Sequence, residues 1–307
     1  MTSRNMHTRV AVLMGGFSSE REVSLVSGQD AAAALKRVGY SVTTIDVPHN
    51  MCALTSELVK AKPDIVFNAL HGRYGEDGCI QGLLDMMALP YTNSGRLAST
   101  LAMDKNVAKK LFAAAGLPIA HNIIVTPDEL KAGDPLPRPY VIKPVNEGSA
   151  IGVYIIKEGD DLPSQHELAF YKGRPIMVET FIPGREITVA NLGERALAVT
   201  EITTQQSFYD YEAKYAEGGS VHILPALLSE SVYGQILDIS LAAHQTLGCR
   251  GVTRTDLRLD NDEIYLLEIN TQPGLTPTSL VPEQAAHIGM TFEDLVNWMV
   301  ENAQCDP

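Results

Sequence analysis

The run Val10 to Met14 is wholly apolar and stops at Gly15-Gly16, which predicts a buried strand closed by a turn. A helix is expected from about Glu20 to Val38, ended by Gly39. Ser19 with Glu22 three residues on reads as the capping box that opens it. Ser41 to Val47 and Asp64 to Leu70 are the next two expected strands. The loop H-G-R-Y-G-E-D-G from His71 follows, then a helix near Ile80 to Met87. Strands alternating with helices imply a parallel sheet that binds ligands at the carboxyl ends of its strands. Gly15-Gly16 and His71-Gly72 both stand at such ends.

From about Ser99 the pattern changes. A helix from Asp104 to Ala115 precedes Gly116-Leu117-Pro118. Short strands are expected at Asn122 to Val125, Tyr140 to Lys143, Val153 to Ile156 and Ile176 to Glu179. Glu186 to Leu192, a turn at Gly193-Glu194 and Leu197 to Thr203 read as an antiparallel pair. The polar stretch Gln205 to Ser220 has no periodicity and is long for a connector, as lids and disordered segments are. A helix from Ser231 to Leu247 leads to a last strand pair, Gly251 to Leu259 and Ile264 to Asn270. A Gly-Pro loop and helices near Glu283 to Ile288 and Phe292 to Asn302 close the chain. Boundaries fall near residues 98 and 182, giving units 1–98, 99–182 and 183–307.

Composition narrows the partners. The chain has 307 residues, 45% hydrophobic and 20% charged, so it can bury a large core without staples. A net charge of −13 argues against nucleic-acid or acidic-membrane partners, and requires local cations or a metal wherever an anion binds. Cys52, Cys79, Cys249 and Cys305 lack C-x-x-C spacing and are expected as free thiols in a reducing compartment. The apolar run at Val10 is too short for a signal-peptide core and none reaches membrane-spanning length, so a cytoplasmic protein is expected.

Candidate chemistry gathers in the last strand pair. Period-two alternation puts Arg254 with Asp256 on one face, and Glu268 with Asn270 on one face. Two carboxylates and an amide oxygen form a hard oxygen set suited to Mg²⁺, which binds few carboxylates together with substrate phosphates. The alternative is a solvent-facing strand end. The set shares one face only in matched register. An odd loop, Asn261-Asp262-Glu263, pairs Asp256 with Glu268 and Arg254 with Asn270, whereas a regular two-residue turn separates them. An odd connection or a bulge is therefore expected. Lys143 ends an apolar strand before the glycine-containing loop 147–152, where backbone N–H groups can approach phosphate. Taken alone, the segment reads rather as an ordinary β-turn beside an edge lysine, and Lys105 alone as a solvated helix residue. Glu20 and His71 share the rim of the parallel sheet.

Eight strings in order carry a family resemblance almost end to end. They are G-G-F-S-S-E-R-E-V-S-L from Gly15, A-L-H-G-R-Y-G-E-D-G from Ala69, M-D-K from Met103, V-I-K-P from Val141 and E-G-S from Glu147. F-Y-D-Y-E-A-K-Y from Phe208, G-V-T-R-T-D from Gly251 and L-L-E-I-N-T-Q-P-G-L-T-P-T-S-L-V-P from Leu266 complete them. The chain resembles the D-alanine–D-alanine ligases of the ATP-grasp superfamily. The resemblance implies an α/β ATP-grasp fold: an N-terminal Rossmann-like parallel-sheet domain and two α+β domains that clasp ATP. It also implies a homodimer, and ATP-driven ligation of two D-alanine molecules through an acyl phosphate.

The resemblance also distributes roles. Asp256, Glu268 and Asn270 match ligands of two Mg²⁺ ions, with Mn²⁺ as an alternative. Lys105, Lys143 and Lys214 match phosphate contacts, and Glu179, Phe181, Ile182 and Glu186 match nucleotide contacts at a hinge. Glu20 matches the carboxylate that receives the first D-alanine's ammonium, and His71 a neighbour of its reacting carboxylate. Arg254 and the Gly274 N–H match an oxyanion site; Ser279 and the Leu280 N–H match the anchor of the second D-alanine's carboxylate. Residues 205–220 match a lid whose Tyr215 bonds through Ser149 to Glu20. D-lactate-accepting ligases share the fold, and Phe in place of this lid tyrosine accompanies them; a nucleotide-binding regulator without turnover is a further alternative. Two departures stand out: Ala150, where the family often has a second serine, and Gln272, where serine is common and to which the residues assign no role.

Overall fold

The computed structural model describes residues 7–148, 152–203 and 220–306. Strands β1 (Arg9–Met14), β2 (Ser41–Asp46) and β3 (Ile65–Asn68) form a parallel sheet in the order β2-β1-β3. Helix α1 (Arg21–Val38) covers one face with Val23, Ala31, Ala32, Ala34 and Leu35 buried. It lies so close that a Cβ on Gly28 would meet Met14 Cβ at 2.5 Å. Gly39 ends the helix at φ 110°, a left-handed conformation that glycine adopts without strain.

The capping box expected at Ser19 and Glu22 is not formed. Glu20 is the N-cap, with no side-chain cap bond. The nearest hydroxyl, Ser18 Oγ, accepts from the Glu20 N–H at 3.2 Å and donates to the His71 carbonyl at 2.8 Å. The turn is thus tied across to the next loop rather than back onto its own helix. Strand Asp64 to Leu70 is also shorter than expected, because Asn68 Oδ1 accepts from the Leu70 N–H and begins the His71 loop.

Helices α2 (Met51–Ala61) and α3 (Cys79–Met86) complete this unit. Next come α4 (Arg96–Met103) and α5 (Lys105–Ala114), where Asp104 ends one and caps the other by accepting from the Val107 N–H. The sequence reading missed α2 and α4: α2 buries only Leu54 and Leu58, and α4 abuts its successor without a loop.

A four-stranded antiparallel sheet has the order β4-β7-β5-β6. Its strands are β4 (Asn122–Val125), β5 (Tyr140–Pro144), β6 (Tyr154–Ile156) and β7 (Ile176–Thr180), and short helices α6 (Pro127–Ala132) and α7 (Gln165–Leu168) flank it. A five-stranded antiparallel sheet follows, built from β8 (Arg185–Leu192), β9 (Arg195–Thr203), β10 (Val221–Ile223), β11 (Val252–Asp260) and β12 (Glu263–Asn270). Its order is β10-β9-β8-β11-β12, with α8 (Glu230–Thr246) against β8 and β9. Helices α9 (Leu280–His287) and α10 (Phe292–Glu301) return to the first unit, where α10 packs on α1. One apolar cluster therefore joins Val10, Val12 and Leu35 to Leu192, Val252, Leu295 and Met299.

The β11–β12 hairpin answers the register question. Its turn is the two-residue Asn261-Asp262, at φ 46° and 69°, a left-handed pair suited to tight hairpins. A bulge restores the parity: Leu257 pairs with Leu266 but Asp256 pairs with Glu268, so Leu267 is the extra residue. Arg254 then faces Asn270, and the oxygen set shares a face.

Candidate active site

The carboxyl ends of β1 and β3, the N-terminus of α5, the loop after β5 and the β11–β12 hairpin converge on one narrow cleft. Its volume is about 70 Å³, and its lining includes Glu20, His71, Glu76, Lys105, Arg254, Glu268, Asn270 and Gly274. Seven of these are residues singled out from the sequence; Glu76 is the addition. Glycines allow the close approach. A Cβ on Gly72 would lie 3.2 Å from Glu20 Oε2, and one on Gly148 would lie 3.5 Å from that oxygen and 3.6 Å from Glu76 Oε1.

His71 is buried, with Nδ1 3.0 Å from the Gln272 carbonyl oxygen. A carbonyl only accepts, so Nδ1 carries the hydrogen. Burial pulls the imidazole pKa below its ordinary value, despite the opposing effect of Glu20. The ring is neutral, and Nε2, which has no hydrogen-bond partner among the described residues, is an acceptor.

Glu76 is pushed up to about 8, first by burial and then by the like charge of Glu20. The folded chain holds a proton here that an unfolded chain releases near the ordinary 4.5. This contribution to stability is full below that pH and is lost as pH rises toward 8. Glu76→Gln should flatten that part of the profile, narrowing the difference between urea midpoints measured at pH 5 and pH 8. An unchanged difference would show that Glu76 does not titrate in this window.

The acidic face is held by cations. Arg254 donates to both oxygens of Asp256, at 2.8 and 2.7 Å, and Thr188 Oγ1 donates to Asp256 Oδ1 at 2.7 Å. Lys105 Nζ lies 3.0 Å from Glu268 Oε2 and donates to the Glu147 carbonyl at 2.8 Å. Asn270 Oδ1 accepts from the Gln272 N–H at 2.7 Å. Among the described residues no group of three or more His, Cys, Asp or Glu side chains is placed to hold a metal. The donor chemistry is instead two carboxylates and one amide on one hairpin face, which fits a hard cation sharing its shell with phosphates.

Lys143 and Glu179 lie deeper. Lys143 Nζ is 2.5 Å from Glu179 Oε2, and the other carboxylate oxygen is paired with Lys109. Burial pushes the Glu179 carboxyl up, but Lys143 and Lys109 outweigh it and hold the group ionised below its ordinary range. At the hinge, Arg258 donates to the Ile182 carbonyl at 3.2 Å and to Glu186 Oε2 at 3.3 Å, with Phe181 beneath its guanidinium at 5.9 Å. Ser279 is the N-cap of α9, and its Oγ accepts from the Thr276 N–H at 3.0 Å. A Cβ on Gly274 would meet that Oγ at 2.9 Å, so the expected oxyanion donor and carboxylate anchor are neighbours. Ser149, Ala150, Lys214, Tyr215 and the 205–220 lid apart from Ser220 lie outside the described residues.

Lys109, Arg258 and Glu76 escaped the sequence reading, and Gln272 was singled out there without a role. Lys109 had a signal: it shares the buried face of α5 with Ala108 and Phe112, where an unpaired lysine would be costly. All four cysteines are free, and among the described residues no helix is long and apolar enough to cross a membrane.

A parallel-sheet unit joined to two antiparallel sheets, with lysines, an arginine and paired carboxylates turned onto one cleft, is the ATP-grasp architecture. Residues 111–301 match the model of the D-ala D-ala ligase C-terminus and residues 51–94 that of the N-terminus. The chain belongs to the D-alanine–D-alanine ligase family. It is 56% identical over 302 residues to the D-alanine–D-alanine ligase of Rhodospirillum rubrum, covering 98% of this chain and 100% of that one. It is 58% identical over 299 residues to the D-alanine–D-alanine ligase of Acidiphilium cryptum, covering 97% and 99%. The crystal structure of D-alanine–D-alanine ligase from Bacillus anthracis complexed with ATP superposes with a TM-score of 0.81 at 32% identity, covering 96% of each chain.

Proposed function

We infer that this chain is an ATP-dependent ligase that joins two D-alanine molecules, with release of ADP and phosphate, into D-alanyl-D-alanine for peptidoglycan precursor synthesis. The observation that carries the reading is the single cleft in which Glu20 and His71, from the parallel-sheet unit, face Lys105, Arg254, Glu268 and Asn270. An amino-acid ammonium seeks a carboxylate and a triphosphate seeks cations, and this cleft offers both within one small volume.

A carboxylate is a poor electrophile at neutral pH, and phosphorylation by ATP makes it reactive. Catalysis of that transfer is positioning plus charge neutralisation. Glu20 receives the ammonium of the first D-alanine, and Lys105 and Lys143 hold phosphates. Asp256, Glu268 and Asn270 would hold Mg²⁺, which when bound supplies charge neutralisation to the phosphates. Arg254 and the Gly274 N–H then stabilise the oxyanion that forms when the second amine attacks. Ser279 and the Leu280 N–H at the start of α9 receive the second carboxylate, where the helix terminus favours an anion. Units 1–98, 99–182 and 183–307 supply the first substrate site, the central grasp and the metal site with its lid. The reliance on ATP supports a cytoplasmic setting, and the family resemblance supports a homodimer.

The test is product identification by mass spectrometry after incubation with Mg-ATP and D-alanine, with D-lactate as competitor. D-alanyl-D-alanine should dominate. A product containing D-lactate in its place would move the chain to the depsipeptide ligases, and phosphate-free inactivity of a folded preparation would refute the ligase reading.

A further inference from the structure

Gln272 is 1% exposed and lies between the metal-site strand and the Gly274 turn. Its side chain reaches into the parallel-sheet unit. Oε1 accepts from Asn93 Nδ2 at 2.8 Å and from Asn68 Nδ2 at 3.2 Å, while Nε2 donates to the Asn68 carbonyl at 2.7 Å. The set admits one orientation, because a flipped amide would face two N–H donors with its own. Its main chain works in the same joint: the carbonyl accepts from His71 Nδ1 at 3.0 Å, and the N–H donates to Asn270 Oδ1 at 2.7 Å. One residue therefore holds the carboxyl end of β3, the tautomer of His71 and the path to Gly274 two residues on.

We propose that Gln272 is a positioning residue that fixes the two substrate half-sites relative to each other, holding the Gly274 N–H in line with an acyl phosphate formed beside Glu20 and His71. The proposal rests on the ligase reading above. The physical reason is rigidity. Asn68, Asn93 and Gln272 are all buried, so each unmade bond leaves a dry polar group, and the amide pair cannot slide without breaking three bonds together. A turn that slips relative to His71 would still allow phosphoryl transfer to the first D-alanine, but it would slow capture by the second amine. Water would then take the acyl phosphate: its oxygen attacks the acyl carbon, the C–O bond to phosphate breaks, and D-alanine and inorganic phosphate are returned.

The experiment compares the full chain with Gln272→Ala and the shorter polar Gln272→Ser, under Mg-ATP and saturating D-alanine, well below each melting temperature. Dipeptide kcat should fall tenfold or more, ATP KM should stay within twofold, and phosphate released per dipeptide should rise above one. Gln272→Ser, which keeps a hydroxyl and leaves room for a bridging water, should lose less and provides the readout if Gln272→Ala does not fold. Unchanged kcat and stoichiometry with only a lower melting temperature would overturn the proposal and leave Gln272 as packing. A rise in ATP KM in proportion to the loss of kcat would also overturn it, since the whole cleft would have loosened. Failure of the parent chain to make dipeptide would count against the ligase reading instead.

Discussion

Glu268→Gln is expected to lower dipeptide synthesis at least tenfold, about 1.4 kcal/mol of barrier or more, in a chain that still folds. The substitution keeps the shape of the side chain and removes one charge. In the hairpin, Glu268 stands opposite Asp256, and its Oε2 lies 3.0 Å from Lys105 Nζ. The side chain is a third exposed, so the lost ion pair contributes little to stability and the amide stays solvated. Function bears the cost. Asp256 has both oxygens engaged by Arg254, whereas the cation beside Glu268 is Lys105, a lysine that itself matches a phosphate contact. Phosphate release with Mg-ATP and D-alanine, beside a melting curve, is the measurement. Parent-like turnover in a folded variant would remove Glu268 from the metal site.

Much of this site was legible because its residues lie on strands of fixed period. Alternation put Arg254 with Asp256 and Glu268 with Asn270, and the register condition for a common face is met by a bulge at Leu267. The bulge itself has no signature in that apolar strand, where either leucine could be the extra residue. The rim positions of Glu20 and His71 followed from strands ending in glycine. What stayed illegible depends on long-range contacts. The bonds of Gln272 to Asn68 span 204 residues, and those of Arg258 to Ile182 span 76. No local pattern announces such a partner. The capping box expected at Ser19 gives way to Glu20 as the N-cap, in a turn whose Ser18 is bonded to the carbonyl of His71, 53 residues away. Helix α2 was missed for the opposite reason: with two buried side chains it leaves too faint an apolar stripe to read.

The buried cluster around Glu179 gives the largest expected stability effect. Glu179 is 2% exposed and Lys109 1%, and Lys143 closes the group at 2.5 Å from the carboxylate. Two lysines against one carboxylate leave a net positive charge at the end of β5, where a phosphate contact is proposed. Lys109 makes that possible: it neutralises Glu179, so the charge of Lys143 is not consumed within the cluster. Lys109→Met keeps the apolar stem and removes the ammonium. Breaking a buried ion pair from one side costs ~3–5 kcal/mol, and the remaining Lys143 pair should hold the loss near the lower figure. The same change cancels the net charge of the cluster, so ATP KM should rise at least tenfold while the KM for D-alanine moves little. Adding Glu179→Gln to Lys109→Met removes the carboxylate that was left half-paired, and should recover much of the stability without restoring the parent's ion pairs. Urea unfolding of the single and double variants gives the coupling between the two sites directly. A loss below about 0.5 kcal/mol for Lys109→Met, the range of an ordinary surface substitution, would show that Lys109 does not neutralise Glu179 in the folded protein.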